Sequence, residues 1–389
     1  MAAAAALAMV LTTLLTPALA SPTPPRTHPT APGRGPVPAR VVLAPQSGAW
    51  LGVSIDWAND SLSAYADRLG RRPAVAVSFV QMPLTRDDRR NLDAAVDQAR
   101  QVGSMLLVTL EPHRGLAAVT PRATTQLAMR LAGYQRLGVT TFVRFAHEMN
   151  GSWYPWSQDP AAYVRTFRQV AATVHRISPR SAMMWAPNYG GGYPFTGGRY
   201  QAPAGSERAA LLDTDGDGAV TGADDPYRPY WPGSAAVDWV GMSVYHWGST
   251  YPWGENEVPE PGKFADLLHG TYDGLAGDET GVPDFYAEYG VAMDRPVAVT
   301  ETAAFYVPGA GGARELAVKR AWWRQVLAPA IHRDLPMLKM VNWFEWSKPE
   351  PEVGTVVDWS VTRTKSIRTA FRRDLPGWLR GASLAKDRG

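Results

Sequence analysis

Eight short apolar runs, separated by segments with helical spacing, restrict the fold of this chain more than any other feature. The strand-like runs cover residues 50–55, 74–80, 105–110, 141–146, 182–186, 239–245, 297–300 and 337–343. Helical spacing covers residues 62–69, 86–102, 121–137, 159–177, 263–275, 314–327 and 364–373. Eight strands that alternate with helices predict a (β/α)8 barrel of parallel strands. A doubly wound open sheet is disfavoured, because no glycine-rich phosphate loop follows the first strand.

Composition narrows the class of protein further. The chain has 389 residues, of which 45% are hydrophobic and 19% charged, enough for a large core. The net charge of +3 comes without a long basic run, so we do not expect a nucleic-acid partner. Cysteine is absent from the sequence, so stability must come from the core and from any bound metal.

The first 40 residues differ in composition from the rest. Residues 2–17 are small and apolar, and Ala18-Leu19-Ala20 before Ser21 is typical of a signal-peptide cleavage site. Residues 21–40 are rich in proline and threonine, which is typical of an extended linker. We therefore expect a signal peptide at 1–20, a disordered linker at 21–40 and one folded domain at 41–389. We therefore also expect a secreted protein without a membrane span, and separately we expect a monomer.

Two glutamates stand where strands of the predicted barrel end. Glu148 follows the fourth strand and Glu301 ends the seventh. Active sites of such barrels lie at the carboxyl ends of the strands, and two carboxylates there suit acid/base chemistry on a glycosidic bond. The simpler interpretation of Glu148 is a surface ion pair among aromatic rings. Fifteen Trp and fifteen Tyr also suit the apolar faces of sugar rings.

The residues His147-Glu148-Met149-Asn150-Gly151-Ser152-Trp153 resemble the acid/base motif of glycoside hydrolase family 26. That family consists of β-mannanases and related β-glucanases and β-xylanases, built as retaining (β/α)8 barrels. The resemblance implies that Glu148 is the general acid/base and Glu301 the nucleophile. The substrate-binding residues that we expect with them are His113, His147, Asn150, Trp153, Tyr245 and Trp343. One departure concerns specificity for mannan: Ser243 stands where the family often has aspartate, two residues before the tyrosine.

A second local pattern predicts a metal site. Oxygen ligands recur at alternate positions over 213–224, with glycine at the sixth position, which is the spacing of a calcium loop. The expected ligands are the side chains of four aspartates and one backbone carbonyl: Asp213, Asp215, Asp217, Asp224 and Ala219. The loop falls in a long insertion between strands five and six, where a calcium ion would be structural. A polar turn of glycine and aspartate is the alternative.

Two other functions are compatible with these residues. The site could belong to an inactive carbohydrate-binding barrel, or to a metal-dependent hydrolase that uses His113, His147 and His246. Glu111 and Glu345 could be ion-pair partners or could contact sugar. The expected substrate is β-1,4-mannan, with a β-glucan or β-1,3-xylan as the alternative.

Overall fold

Eight parallel strands form the centre of the fold in the computed structural model, which describes residues 43–250, 253–275 and 277–383. The strands are β1 (Ala49–Ile55), β2 (Val75–Gln81), β3 (Met105–Glu111), β4 (Thr141–Phe145), β5 (Ala182–Trp185), β6 (Trp239–Ser243), β7 (Val297–Thr302) and β8 (Leu338–Glu345). Each strand pairs with the next in sequence, and β8 pairs in parallel with β1 and closes the barrel. The predicted (β/α)8 barrel is confirmed. A short strand, Leu379–Arg380, adds to β1 on the outside of this order.

Nine α-helices lie in the described residues: α1 (Leu62–Leu69), α2 (Arg86–Val102), α3 (Pro121–Arg136), α4 (Pro160–Ile177), α5 (Glu207–Leu212), α6 (Lys263–His269), α7 (Glu315–Val326), α8 (Pro329–Asp334) and α9 (Lys365–Asp374). The side chain of Thr120 caps α3 and that of Asp159 caps α4, each just before a proline. Short 3₁₀ turns at Leu116–Ala118 and Arg228–Tyr230 and a π-helical turn at Tyr286–Val291 complete the helical elements. Two hairpins pair Asp273–Gly274 with Gly277–Asp278 and Ser347–Glu350 with Thr355–Asp358.

One predicted helix ends early. Spacing predicted a helix over 263–275, but α6 ends at His269. Gly270 follows in the left-handed region with φ 62°, and a Cβ there would come 2.0 Å from the carbonyl oxygen of Val282. Glycine at this position stops the helix and permits the close approach of the next loop.

Side chains of the barrel strands alternate between two cores. Phe142 of β4 packs edge-on against Trp239 of β6, 5.1 Å between ring centroids, and both belong to a cluster inside the barrel with Met340 of β8. Their neighbours Val143 and Val341 belong to the cluster that packs the strands against the helices. Since side chains alternate with period two, every second residue after Phe142, Trp239 and Met340 also points into the barrel. The last of these in each strand lies at the carboxyl end of the barrel interior.

Two further predictions concern the first 40 residues and the absence of a membrane span. The signal peptide and linker predicted over 1–40 lie outside the described residues. No described helix combines the length and apolar character that crossing a membrane requires.

Candidate active site

The turn after β4 places Glu148 over the open end of the barrel. Ala146 and Glu148 both adopt positive φ, 48° and 54°, which is unusual for residues with a Cβ. The strained backbone is held by the neighbouring strands: the amide of Ala146 donates to the carbonyl of Leu110, and that of Glu148 to the carbonyl of Ala186, both at 2.9 Å. Strain of this kind is often found at functional sites.

Arg144 lies beneath this turn and contacts three polar groups. It continues the inner face of β4 from Phe142 and is 0% exposed. One terminal nitrogen, Nη1, donates to Glu301 Oε1, and the other, Nη2, donates to Ser243 Oγ at 2.9 Å. Nη2 is also 4.0 Å from Glu148 Oε1. The buried guanidinium of Arg144 therefore donates to Glu301 and also lies close to Glu148.

Glu148 lies in an environment that favours its protonated form. Burial and the charge of Glu301 raise its pKa to about 7, while Arg144, Ser243 and Trp153 act in the opposite direction. The indole Nε1 of Trp153 donates to Glu148 Oε2 at 3.3 Å. A carboxyl group with a pKa near neutrality can both give and take a proton.

Glu301 is bound by donors on both oxygens. In addition to Arg144, the hydroxyl of Tyr245 donates to Oε2 at 2.8 Å. Burial and the charge of Glu301 raise the pKa of Tyr245 well above 10, so the phenol stays a donor. One oxygen each of Glu148 and Glu301 and one ring nitrogen of His147 lie within 4.8 Å of one another.

An irregularity in β7 aims Glu301 at this site. The pairing of β6 with β7 shifts between Met242 and Ser243, so that Ser243 stands opposite Glu301. The pairing of β7 with β8 shifts over the same stretch. An extra residue in a strand turns the following side chain to the other face, and here it places Glu301 on the inner side with Ser243.

The two histidines predicted to bind substrate differ in exposure. His147 is 2% exposed, and burial together with Arg144 lowers its pKa well below 6.5. Its ring packs 5.0 Å from that of Tyr154, and its Nδ1 has no hydrogen-bond partner among the described residues. His113 is more open and stands 3.4 Å from Glu111, whose pKa burial raises. His113 is therefore the histidine of this pair that a ligand can reach.

Aromatic rings form the rim beside Glu148. Trp153 is 39% exposed, and its indole lies over Gly151, where a Cβ would come 2.4 Å from the ring. Phe195 from the insertion after β5 packs edge-on against it at 5.2 Å. Tyr154 stacks on Trp156 at 4.4 Å and closes the buried side. Trp153 is the exposed ring of this rim, and glycine at 151 allows its position.

Two residues predicted to contact substrate are buried and bonded to other parts of the protein. Trp343 is 2% exposed, and its indole donates to the carbonyl of Trp359 and packs against Phe371 of α9. Because Met340 faces the barrel interior, the alternation of β8 turns Trp343 towards the helices. Asn150 is 0% exposed, and its side-chain amide makes two 2.8 Å hydrogen bonds with the backbone of residue 188. It joins the loops after β4 and β5.

The contacts of Glu345 and of the third histidine are also defined. Glu345 is fully buried, and its carboxylate accepts from the backbone amides of Val361 and Thr362 at 2.9 Å. It therefore anchors the loop that contains Val361 and Thr362 and is not exposed at the rim. The Nε2 of His246 donates to the backbone carbonyl of Glu257 at 2.8 Å, and no metal-competent cluster of the described residues combines this histidine with His113 and His147.

Some contacts of the site carried no sequence signal. The hydrogen bond from Arg144 to Ser243 and the packing of Phe195 on Trp153 join residues 99 and 42 positions apart. Neither contact involves a motif, so only the folded chain reveals it.

The predicted calcium loop brings three of its carboxylates together. One oxygen each of Asp213, Asp215 and Asp224 lie within 4.8 Å of one another. Asp224 is 3% exposed, and its two oxygens accept from the backbone amides of Thr214 and Thr221. Hydrogen bonds to backbone amides lower its pKa despite burial. The loop is thus folded with three carboxyl groups close together.

The other two predicted ligands stand differently. Asp217 is not part of the three-carboxylate group. Its Oδ1 accepts from the backbone amide of Ala219 at 2.8 Å. A role for the carbonyl of Ala219 stays a prediction.

Comparison with known proteins agrees with this fold. No protein-family model matches the chain. Endoglucanase H of Acetivibrio thermocellus is 19% identical over 334 residues, which is 84% of this chain but only 30% of that protein's length. The solved structure of GH26C from Muricauda sp. superimposes with a TM-score of 0.53 at 12% identity, over 87% of this chain and 91% of that one. A double mutant of the Cellulomonas fimi endo-β-1,4-mannanase gives 0.53 at 16% identity, over 86% and 72% of the chains. The resemblance to family 26 is thereby confirmed at the level of the fold.

Proposed function

We propose that this chain is a glycoside hydrolase that cleaves a β-linked polysaccharide with retention of configuration. The observation that carries the proposal is the pair of glutamates at the carboxyl end of the barrel, with an oxygen of each within 4.8 Å of the other. Retaining enzymes hold their two carboxyl groups about 5–5.5 Å apart, whereas inverting enzymes leave room for a water at about 6.5–9.5 Å. The short separation therefore favours retention.

The first step uses the unequal surroundings of the two groups. Glu301 accepts hydrogen bonds from Arg144 and Tyr245, which hold its carboxylate in place, and the carboxylate attacks the anomeric carbon. Glu148, with its pKa raised to about 7 by burial and Glu301, gives its proton to the departing glycosidic oxygen. A covalent glycosyl ester on Glu301 results, and Glu148 becomes ionised.

The second step reverses these roles. Once Glu301 is esterified its charge is lost, and the pKa of Glu148 should fall, which suits a general base. Glu148 takes a proton from water, and the water oxygen attacks the anomeric carbon and releases the sugar. Two inversions restore the original configuration.

We propose β-1,4-mannan as the substrate and endo cleavage as the mode. Support comes from the fold shared with the Cellulomonas fimi endo-β-1,4-mannanase and from the rim of Trp153 and Phe195 beside Glu148. The name of Endoglucanase H favours a β-glucan as the second candidate. Release of reducing ends from mannan, β-glucan, β-1,3-xylan and β-1,4-xylan distinguishes them, and no release from any of the four would contradict the proposal.

Variants test the two roles separately. We expect Glu301→Gln and Glu148→Ala each to lose at least about a thousandfold in kcat on polysaccharide. Azide should restore turnover of an activated aryl glycoside to Glu148→Ala only, because that leaving group needs no acid. Glu207→Gln, an exposed charge change on α5, is the matched control with unchanged activity. NMR of the first product should show the β anomer, and an initial α product would exclude retention.

We further propose that the 213–224 loop binds a structural calcium ion and that the protein is exported. Three carboxylate oxygens within 4.8 Å are suitable hard ligands for calcium. The residues that would hold it are Asp213, Asp215 and Asp224, and the ion would neutralise their mutual repulsion without entering the reaction. Fractionation of the native host, with the protein in the medium or in the cells, tests export.

A further inference from the structure

Ser243 is a buried serine beside Arg144, the residue that contacts both glutamates. The proposed mechanism gives its hydroxyl no role. Ser243 ends β6, is 2% exposed and stands opposite Glu301 because of the irregular pairing with β7. Its Oγ lies 2.9 Å from Nη2 of Arg144, the same nitrogen that is 4.0 Å from Glu148 Oε1. The hydroxyl is thus part of the polar cluster and is shielded from water.

The direction of its hydrogen bonds follows from the chemistry of its neighbour. A guanidinium can only donate, so the Ser243 oxygen must accept from Arg144. Its own proton then remains available for an acceptor, and Glu148 Oε1 belongs to the same cluster, 4.0 Å from the nitrogen that Ser243 binds. Ser243 is accordingly among the groups that hold down the pKa of Glu148 by hydrogen bonding, against the larger effects of burial and Glu301.

We propose that Ser243 is a positioning residue that holds Arg144 between the two glutamates and donates its hydroxyl proton to Glu148 whenever Glu148 is ionised. This inference rests on the proposed function, because it concerns the acid/base of that reaction. Ser243 touches neither substrate nor the reacting carbon. It acts through Arg144 and Glu148.

Arg144 has little freedom to take over this role. Its Nη1 stays paired with Glu301, and the side chain is 0% exposed. The other titratable and charged groups that face Glu148 keep their side chains in a variant at residue 243: Glu301 from β7, Tyr245 after β6, and His147 and Tyr154 after β4. The Glu111 and His113 pair after β3 interacts with Glu301 through Glu111. Loss of the hydroxyl should therefore be read directly in the titration of Glu148.

The test is the pH profile of kcat/KM for Ser243→Ala. The alkaline limb of the wild-type profile reports the free enzyme's general acid. The variant loses the hydroxyl that donates to ionised Glu148, so the pKa of Glu148 should rise. The alkaline limb should therefore move to higher pH by about one unit, which corresponds to the energy of one hydrogen bond to a charged group. Ser243→Thr keeps a hydroxyl and should restore the wild-type limb.

A matched control separates this role from general packing. Ser181 is also a buried serine, 3% exposed, but lies at the opposite end of the barrel and bonds Thr141. Ser181→Ala can lower the melting temperature but should leave the pH profile unchanged. If Ser243→Ala does not fold, Ser243→Cys replaces it, because a thiol is a weaker donor and should shift the limb upward by a smaller amount.

The outcomes are distinct. An alkaline limb that is unmoved or lowered in a folded Ser243→Ala, or one that Ser243→Thr shifts equally, overturns the inference and leaves the proposed function intact. A wild-type protein that cleaves no β-glycan overturns both.

Discussion

The coupling between the two glutamates leads to a quantitative prediction for Glu301→Gln. Glutamine keeps the size of the side chain and removes its charge. Burial and Glu301 are the two largest causes of the raised pKa of Glu148, which lies at about 7. In the variant the second cause is gone, and Arg144 no longer has Glu301 to neutralise it, so both changes lower the pKa of Glu148.

The size of the change can be bounded from the separation of the oxygens. At 4.8 Å, the upper limit for the distance between one oxygen of each group, two unit charges repel by about 0.9 kcal/mol at a dielectric constant of 80 and by about 3.5 kcal/mol at 20. These energies correspond to about 0.6 and 2.5 pKa units. Because Glu148 is enclosed, with its side chain only 14% exposed, the value should lie well inside these bounds. We expect Glu148 in the variant to titrate at about pH 5–6.

The assay is a ¹³C NMR titration of protein with labelled glutamate side-chain carboxyl carbons. Glu148→Gln identifies the signal of Glu148 by its disappearance. Glu257→Gln is the control, since its carboxylate is held by the backbone amides of Ser249 and Thr250 after β6, and it should leave the titration of Glu148 in place. A midpoint for Glu148 that is unchanged or higher in Glu301→Gln would refute the electrostatic account of the pair.

Three further predictions follow from the same structure. Because the folded pKa of Glu148 is raised from about 4.5 to about 7, the wild-type protein loses stability as the pH rises through that range. Glu148→Gln should therefore be more stable than wild type at pH 8, by at most about 3 kcal/mol, and equally stable at pH 4. Urea unfolding at both pH values measures this difference, and a gain at pH 4 alone would contradict the prediction. Calcium at a hundred times its dissociation constant adds about 2.7 kcal/mol to the free energy of unfolding. With an unfolding entropy of about 2.1 cal/mol/K per residue over roughly 340 residues, a chelator should lower the melting temperature by about 4 °C. If the melting temperature changes neither with chelator nor in Asp215→Ala, the loop is an ordinary polar turn. Trp153→Ala should raise the KM for manno-oligosaccharides about tenfold, because the stacking of the ring on sugar is lost. Trp153→Phe keeps an aromatic ring and should keep most of the affinity. Equal losses in both variants would point instead to the hydrogen bond from the indole to Glu148.

Local patterns predicted the barrel and the positions of both glutamates. Apolar runs and capping residues act within a few positions of the chain, and the helix starts at Thr120 and Asp159 are found where they were expected. The carboxyl end of each strand follows from the order of the elements, so Glu148 and Glu301 could be assigned to one rim before any contact was known. The resemblance of the strand-four motif added their roles as expectations.

The tertiary structure decided which side chains face that rim. The irregular pairing of β7 that turns Glu301 inward depends on two neighbouring strands, and the direction of Trp343 depends on the register of β8. Asn150 was grouped with the ligand contacts because it adjoins Glu148 in sequence, yet its amide is used by the backbone of another loop. Period and spacing describe one segment at a time, whereas facing, burial and the hydrogen bond from Arg144 to Ser243 arise only when strands distant in sequence are packed side by side.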